Sequence, residues 1–431
     1  MRSKYRWVIV VFVAFITLIN YLDRSAVSYA TAPITSALHI NNFWWGIIGS
    51  AFSIGYLVLA FVGGPIVDRF GVKRVWTSAA AVWSIVTILT AGAASAVGLF
   101  IIRVLLGVSE GPAFPAVTRA MSRWLPNQER GKALGLIVGA GVPFSLMIGG
   151  PVVTALLGGI GWKGTFVILG LLGLLWVVLW LGVFRDTPSQ HKRVNAAERE
   201  YIEAGQIAEE KETHLQRTQW GKIFKNGNLW WSAFGYFAWG FMFWAFMYWL
   251  PGYLGQVYKL NLAAVGAFSV LPWAAGTVGA VLGGYLVDVF YKRRASIRTR
   301  FITMGVAILL AGASLIPIIA SPSLGVSITF ISLGIGFGMV TGPLWWVVSI
   351  DAAPEQPAAA AGFVDAAFAL SGIVAPALMG FVSQATGSFS SGFMVMIILA
   401  LLSGLGLLLF TRERGRQASA LTVEEVNESG A

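Results

Sequence analysis

Long apolar stretches alternate with short polar ones along almost the whole chain. A bilayer core about 30 Å thick is crossed by a helix of roughly 20 apolar residues. The pattern predicts twelve such helices, at approximately residues 7–29, 43–66, 75–94, 97–122, 132–157, 164–184, 229–255, 263–288, 299–319, 324–349, 360–384 and 390–410. The predicted fold class is therefore an all-α integral membrane protein.

One long polar segment interrupts this alternation near the middle of the chain. It divides the sequence into an N-terminal six-helix bundle (1–184), a cytosolic linker loop (185–228), a C-terminal six-helix bundle (229–411) and a cytosolic tail (412–431). The linker contains an amphipathic segment, NAAEREYIEAGQIAEEKE (195–212), which we interpret as a solvated helix rather than a regulatory site. The polar composition of the tail predicts disorder.

The basic residues are distributed unevenly between the two sets of loops. All but four of the 30 Lys and Arg residues lie at the N-terminus, on alternate loops and at the C-terminus. The exceptions are Arg24 and Arg103, inside apolar stretches, and Lys163 and Lys259, on the opposite loops. Basic loops stay in the cytoplasm, so both termini are predicted to be cytoplasmic. The net charge of +11 then reflects topology and does not indicate a nucleic-acid partner.

The composition agrees with a membrane protein. Hydrophobic residues make up 57% of the chain and charged residues 11%, whereas soluble domains carry about 25% charged residues. Cysteine is absent, which excludes disulfide and thiol chemistry. The N-terminal MRSKYRW resembles the basic region of a signal peptide, but a full-length apolar span without a cleavage site follows it. We interpret that span as the first retained helix.

Charged residues of opposite sign lie inside two of the predicted helices. Asp23 and Arg24 are adjacent in the first, and Arg103 and Glu110 share the fourth, with Gly107 between them to permit close approach of another helix. A charge in the bilayer costs about 3 kcal/mol or much more, so these side chains should face protein or water. Two such pairs indicate a polar site. Two alternatives stay open: the first pair marks a helix end at the membrane surface, or the second is a permanent structural salt bridge.

Helix geometry suggests which of these residues bind a proton and which bind the substrate. Arg103 and Glu110 are two turns apart on one face. Burial favours a neutral acid and a nearby guanidinium favours a carboxylate, so Glu110 is a candidate proton site that responds to the position of Arg103. Asp23 and Arg24 are about 100° apart around the helix, so one can face the fourth helix and the other the cavity. The planar fork of Arg24 suits a carboxylate, and Tyr56 offers a hydroxyl to the same ligand.

A short pattern recurs after the second and the eighth predicted helices. Residues 64–74 read GPIVDRFGVKR, and residues 284–294 read GYLVDVFYKRR. Both have glycine, aspartate four residues later, and then a Lys/Arg cluster. Such an aspartate can cap the next helix or pair with basic loop residues in one conformation only. Recurrence at equivalent loops indicates an internal duplication, as in transporters whose site lies between the repeats.

The segment GGPIVDRFGVKR resembles the signature loop of the major facilitator superfamily, and residues 284–294 lie where that family repeats it. Three other segments, NYLDRSAVSYA, SIGYLVLAFVGGPIVDRFG and RVLLGVSEGPAFPA, resemble the anion:cation symporter family of organic-anion transporters. The resemblance covers the chain to about Arg412. It implies the major facilitator fold, with two six-helix pseudo-repeat bundles.

The resemblance also implies roles for individual residues. In that family the arginine of the first-helix pair and the second-helix tyrosine line the substrate site, here Arg24 and Tyr56. The first-helix aspartate and the fourth-helix glutamate are associated with proton coupling, with the fourth-helix arginine as their partner, here Asp23, Glu110 and Arg103. The conformational-switch loop corresponds to Gly64, Asp68, Arg69, Gly71, Lys73, Arg74 and, in the second copy, Asp288.

The C-terminal half departs from the family pattern. Sugar-acid members usually have glutamine in the seventh helix and asparagine in the eleventh, where this chain has Tyr236 and Asp365. The loss of two amides removes hydrogen bonds suited to a polyol. We assign Tyr236, Trp346 and Asp365 to the substrate site and interpret most other aromatic residues nearby, Trp239, Trp244 and Trp345, as packing or interface residues. Three roles stay open for Asp365: a protonated acid, a partner for a substrate hydroxyl or amine, or a second proton site.

These observations predict proton-coupled uptake of a small organic carboxylate, a sugar acid or an aromatic acid, by alternating access. The expected partners are the anion, protons and the lipid bilayer of a prokaryotic inner or plasma membrane. We expect a monomer without cofactor, metal or nucleic acid. The alternatives are an exporter or antiporter, and a transporter of a zwitterionic or amine-bearing acid that uses Asp365. The fifth-helix segment LIVGAGVPFSLMIGGP lacks the spacing of the antiporter signature, which favours uptake.

Two further classes are not indicated. An enzyme would need clustered catalytic or metal-binding groups, but His39, His191 and His214 all lie in predicted loops. A receptor built on a transporter scaffold would need an added cytosolic domain, and the linker and tail are too short for one.

Overall fold

The computed structural model describes residues 3–206, 219–293, 296–320 and 323–412. The secondary structure of these ranges is helical, with no β-strand. The predicted disordered tail falls on residues 413–431, outside the described ranges. Residues 207–218 of the linker and Arg294 of the second repeat copy also lie outside them.

The described part of the first half contains nine α-helices. They are α1 Tyr5–Tyr29, α2 Thr31–Leu38, α3 Asn42–Phe70, α4 Val72–Thr90, α5 Ala96–Glu110, α6 Ala113–Trp124, α7 Asn127–Leu134, α8 Gly141–Val183 and α9 Ala196–Ala204. A π-helical segment, Gly135–Ala140, joins α7 to α8, and a 3-10 turn, Pro188–Gln190, precedes α9.

The second half contains eight α-helices within its described ranges. They are α10 Trp220–Phe224, α11 Gly227–Val257, α12 Leu262–Lys292, α13 Ile297–Ala313, α14 Leu324–Val340, α15 Gly342–Ala352, α16 Pro357–Thr386 and α17 Ser390–Leu409. A 3-10 turn, Ile316–Ile318, follows α13.

These helices form the twelve predicted membrane spans. Ten stretches have the length and hydropathy of a span. One of them, Asn127–Val183, has 57 residues and contains two spans, because Gly161, with a φ of 70°, breaks the helix inside it. The remaining span is α11, whose Trp, Tyr and Gly residues lower its hydropathy although its 31 residues are long enough to cross a bilayer.

The two halves repeat one packing arrangement, as the sequence duplication predicts. In the first half α3 packs against α5, and in the second half α12 packs against α14. The fourth span of each half is broken next to a proline, Pro112 between α5 and α6 and Pro343 at the start of α15. A glycine of the second span of the same half lies close to each proline. A Cβ built on Gly63 would lie 3.1 Å from Pro112, and a Cβ built on Gly283 would lie 3.2 Å from Pro343.

The two halves are joined by hydrogen bonds near the end of α3 that is remote from the signature loop. The Ser50 hydroxyl donates to the carbonyl oxygen of Ile373 at 2.5 Å and accepts from the N–H of Ala377 at 3.1 Å. The Tyr248 hydroxyl donates to the carbonyl oxygen of Trp45 at 2.7 Å. The halves are therefore closed against each other at this end of the molecule.

The first part of the linker packs one face of α9 against the N-terminal half, while the other face is exposed as predicted for a solvated helix. Residues 207–212 of the predicted helix lie outside the described ranges. Glu198 of α9 is fully buried, and its carboxylate accepts the backbone N–H groups of Tyr5 at 3.1 Å and Arg6 at 3.2 Å. The Arg6 guanidinium donates to the same carboxylate and to Glu129. The N–H groups in the first turn of a helix have no partner within it, and Glu198 supplies one for α1.

Candidate functional site

A cavity in the N-terminal half is lined by one face of α1. Thr17, Asn20, Tyr21 and Arg24 follow one another at helical intervals and therefore share a side of the helix. The cavity has a volume of about 40 Å³, room for a few water molecules in this conformation. The other lining residues are Ile16, Tyr56, Trp76, Trp83, Ala113, Phe114, Val117, Val138 and Val142.

A buried ion pair borders this cavity. The Nε of Arg24 donates to Oε2 of Glu110 at 2.6 Å. The guanidinium also lies against three aromatic rings, with its carbon 4.9, 4.6 and 5.0 Å from the ring centres of Tyr21, Phe52 and Tyr56. An arginine on aromatic faces gains cation–π attraction, which is strongest where water is excluded.

Glu110 pairs with Arg24, whereas the spacing within the fourth predicted helix favours Arg103 as its partner. Seven residues of helix separate Arg103 from Glu110 by about 10 Å along the axis. Between them α3 crosses so closely at Gly107 that a Cβ there would lie 2.0 Å from the carbonyl oxygen of Phe52. Gly107 thus admits another helix as predicted, and that helix separates the two charged side chains.

Arg103 is buried without a carboxylate partner among the described residues. Its guanidinium carbon lies 5.2 Å from the ring centre of Phe52, and Tyr248 is near enough to interact with it electrostatically. Its Nε has no hydrogen-bond partner. Arg103 is therefore a buried cation without an ion-pair partner in this conformation, within the described residues.

Asp23 points away from Arg24, as adjacent helical positions require, and it interacts electrostatically with Glu110 and Arg103 of the fourth span. It is buried beside Thr87 of α4, in the third span. Neither oxygen of the Asp23 carboxylate has a hydrogen-bond partner in the described part of the chain, and the Thr87 hydroxyl has none either. Arg24 faces both the fourth span and the cavity.

The C-terminal half contributes an aromatic stack. The ring of Tyr236 lies between those of Trp345 and Phe368, with centroid distances of 5.1 and 4.6 Å. Trp345 is buried, and its indole N–H donates to the Thr341 hydroxyl at 2.9 Å, so it is a packing residue. Trp346 is 37% exposed and stacks on Phe114 of the first half at 6.3 Å.

Asp365 of α16 lies in the same region and faces the first half. It is partly exposed and interacts electrostatically with Tyr236, Tyr21 and Tyr56. Its carboxylate has no hydrogen-bond or ion-pair partner within the residues that the structure describes. The same holds for the hydroxyl groups of these three tyrosines. The region between the halves thus offers one carboxylate and three phenols without protein partners.

The signature loop is held by contacts within the first half. Asp68 pairs with Arg119 of α6 at 3.1 Å, in a partly exposed pair that contributes little stability. The start of α4 is capped by Asp186, which accepts the backbone N–H of Lys73 at 2.9 Å. Asp68 thus pairs with a helix residue and not with the basic loop residues, and Asp186 supplies the cap of the next helix.

Of the other loop residues, Lys73 donates from its ammonium to the carbonyl oxygen of Leu181 at 2.9 Å. Arg69 and Arg74 have no ion-pair partner in the described part of the chain. Arg69 and Arg74 are exposed, and the space around Gly64 is open, with no atom within 4 Å of a Cβ built there. Gly71 has a φ of 82°, which allows the tight turn between α3 and α4. Asp288 is exposed at the end of α12 and has no ion-pair partner among the described residues.

Sequence reasoning missed three residues around Arg24. Tyr21 and Asn20 line the cavity, and Phe52 supplies the nearest ring to the guanidinium. Their positions carry a signal: Tyr21 and Asn20 precede Arg24 by one helical turn, and Phe52 precedes Tyr56 by one turn. Extending each candidate by one turn along its helix would have found all three.

A duplicated twelve-helix membrane protein with charged residues buried around a cavity has the architecture of a secondary transporter. The family model described as Major Facilitator Superfamily matches residues 13–376. The chain belongs to the Major Facilitator Superfamily, a family of transporters rather than enzymes.

Curated relatives cover nearly the full length of the chain. It is 31% identical to a probable sulfoacetate transporter of Cupriavidus necator over 91% of each chain. It is 30% identical to the hexuronate transporter of Bacillus subtilis over 96% of each chain. It is also 30% identical to a probable galactarate/D-glucarate transporter of Escherichia coli, covering 94% of this chain and 93% of the relative. All three are named as transporters of organic anions.

Solved structures share the fold. A bacterial homologue of the human lysosomal transporter Spinster, in an inward-facing and occupied conformation, matches with a TM-score of 0.75 and 16% identity over 95% of this chain and 97% of that one. A D-xylose–proton symporter matches with a TM-score of 0.73 and 16% identity over 95% and 99%.

Proposed function

We propose that this protein is a proton-coupled symporter that takes up a small organic carboxylate by alternating access. The observation that carries the proposal is the position of Arg24. Its Nε holds Glu110, while its two terminal nitrogens have no hydrogen-bond partner among the described residues. The same residue lines the cavity. One guanidinium is therefore available to a protein carboxylate and to a substrate carboxylate at the same site.

Competition for Arg24 would couple the proton to the substrate. When Glu110 is charged it neutralises Arg24 and weakens the attraction for a substrate carboxylate. When Glu110 binds a proton, Arg24 is free to form a bidentate pair with the substrate. Such coupling is reciprocal, so substrate binding would also increase the proton affinity of Glu110.

Asp23 is the second proposed proton site. A buried carboxylate without donors is costly, and a proton removes that cost. Arg103 interacts electrostatically with both Asp23 and Glu110 and has no other acidic partner in the described residues. We propose that the acids approach Arg103 and lose their protons when the two halves rearrange.

The proposed substrate site extends from Arg24 and Tyr56 to Tyr236, Trp346 and Asp365 in the second half. The names of the relatives support an organic anion as substrate. Tyr236 and Asp365 replace the amides of the sugar-acid members. The loss of these amides and the aromatic rings nearby favour a substrate with fewer hydroxyl groups, such as an aromatic acid.

The proposed motion is a rocking of the two bundles, 1–184 and 229–411, about this site. The Ser50 and Tyr248 hydrogen bonds close one end in the present conformation. The signature loop and Asp288 would make their contacts between the halves in the opposite conformation, where Asp68 leaves Arg119. We propose that this loop, the linker and both termini lie in the cytoplasm of a prokaryotic cell, with the protein in the inner or plasma membrane.

Proteoliposomes test the proposed coupling. Glu110→Gln and Asp23→Asn should abolish substrate accumulation driven by an inward proton gradient, because a neutral amide cannot load and release a proton. Counterflow of the same substrate should persist, since exchange needs no net proton release. Glu203→Gln, an exposed acid on α9, is the control for a lost carboxylate and should transport normally. Accumulation in both site variants at the wild-type level would show that the proton is carried elsewhere.

A further inference from the structure

The charges in the middle of the described spans do not balance between the two halves. The first half has two arginines, Arg24 and Arg103, and two acids, Asp23 and Glu110. In the second half the only charged residue remote from the helix ends is Asp365, within the described ranges. A partly exposed carboxylate inside a membrane span is costly, and a cation or a proton lowers that cost.

Four rings near Asp365 on α16 contact one another and form an aromatic wall, which we define as Tyr236, Phe243, Trp244 and Phe368. Of these, Tyr236 interacts electrostatically with Asp365. Phe368 lies three residues after Asp365, on the same side of α16. The ring centroid of Phe368 lies 4.6 Å from that of Tyr236, 5.8 Å from that of Phe243 and 5.9 Å from that of Trp244. The indole N–H of Trp244 is buried without an acceptor. Aromatic faces next to a carboxylate attract a cation more strongly than a neutral group.

Asp365 also shares neighbours with Arg24. It interacts electrostatically with Tyr21 and Tyr56, whose ring centres lie 4.9 and 5.0 Å from the Arg24 guanidinium carbon. These two phenols therefore lie near both a cation in the first half and a carboxylate in the second. A ligand whose carboxylate is bound at Arg24 extends past them towards Asp365.

We propose that Asp365 and the aromatic wall form a subsite for a protonated amine, so that the transported acid is a zwitterion with its carboxylate at Arg24. This inference rests on the proposed function and names its substrate class. An ammonium group compensates the full charge of Asp365 and gains attraction from the rings, whereas a hydroxyl supplies a hydrogen bond and leaves the charge in place. No lysine or arginine of the described spans forms an ion pair with Asp365, so the protein itself does not compensate this charge.

Matched ligand pairs test the subsite. Each pair consists of an acid and the same acid carrying one amine, for example 4-methylbenzoate and 4-(aminomethyl)benzoate, and affinities are measured by calorimetry on the purified full-length protein. For at least one pair, the wild type should bind the amine-bearing member at least 10-fold more tightly. Asp365→Asn should abolish this preference and leave the affinity for the plain acid unchanged or increased. Glu355→Gln, which removes an exposed acid of the same half, should keep the preference.

Other outcomes would overturn the subsite. Equal binding of both members in every pair would exclude recognition of an amine, and a preference that survives in Asp365→Asn would place the amine elsewhere. If Asp365→Asn is poorly folded, Asp365→Glu keeps the charge and should retain the preference. Arg24→Ala separates the two proposals: it should weaken both members of a pair, and unchanged binding of the plain acid in Arg24→Ala would refute the carboxylate site itself.

Discussion

The Nε of Arg24 lies 2.6 Å from Oε2 of Glu110, in a pair whose side chains are 5% and 0% exposed. This contact joins the first span to the fourth. It also places a fully buried acid on the same guanidinium that lines the cavity. A charge-assisted hydrogen bond of this kind is short and strong, and loss of either partner leaves the other charge without compensation.

Arg24→Lys should weaken substrate binding by about 1–3 kcal/mol. Lysine keeps the positive charge but has no planar fork, so it cannot hold Glu110 and a substrate carboxylate through separate nitrogens. Calorimetric titration of the purified variant measures the change. Arg123→Lys is a suitable control, because Arg123 is an exposed arginine of the same half. Equal affinity in Arg24→Lys and the wild type would refute a bidentate role for Arg24.

Gly107→Ala should lower both thermal stability and substrate affinity. The new Cβ would lie 2.0 Å from the carbonyl oxygen of Phe52, so α3 and α5 must separate. That shift would move the ring of Phe52 away from Arg24. Overpacking of this kind typically costs 1–3 kcal/mol, here an estimate of about 2 kcal/mol.

Gly159→Ala is the matched control for this prediction. It makes the same chemical change in a helix, but no atom lies within 4 Å of its Cβ. Melting temperatures in detergent and calorimetric affinities should be unchanged for this variant. If Gly107→Ala behaves like Gly159→Ala, the close crossing of α3 and α5 does not position the site.

Glu198→Gln should destabilise the N-terminal half by about 1–3 kcal/mol, the usual range for a buried hydrogen bond to a charged group. The amide keeps the shape of the side chain but loses the charge that attracts Arg6 and the first turn of α1. Thermal unfolding in detergent measures the loss. Glu203→Gln on the exposed face of the same helix should melt as the wild type does. Identical melting of both variants would mean that the linker does not anchor α1.

Cysteine labelling tests the proposed topology without interference, because the chain has no cysteine of its own. Ser36→Cys lies between the first two spans, and Lys192→Cys lies in the linker; both positions are exposed. A membrane-impermeant maleimide added to intact cells should label the first variant and spare the second. Labelling of Lys192→Cys in sealed cells would place the linker outside and reverse the assigned orientation.

Much of the architecture could be predicted from the sequence, because the signals are local. A span is a continuous run of apolar residues, so all twelve could be located, including α11 with its many aromatic residues. The duplication was visible in the spacing of Gly64 and Asp68 and of Gly284 and Asp288. The candidate charges stood out because bilayer-spanning helices exclude unpaired charge.

The partners of those charges were decided by the tertiary structure. Spacing within one helix favoured Arg103 for Glu110, but the crossing of α3 at Gly107 separates them and Arg24 arrives from another helix. The burial of Glu198 likewise depends on the free N–H groups of α1, which lie almost two hundred positions away along the chain. Hydrophobicity along the sequence therefore determined which segments cross the membrane. Which charges meet depended on how closely the helices cross, and that distance is a property of packing between segments.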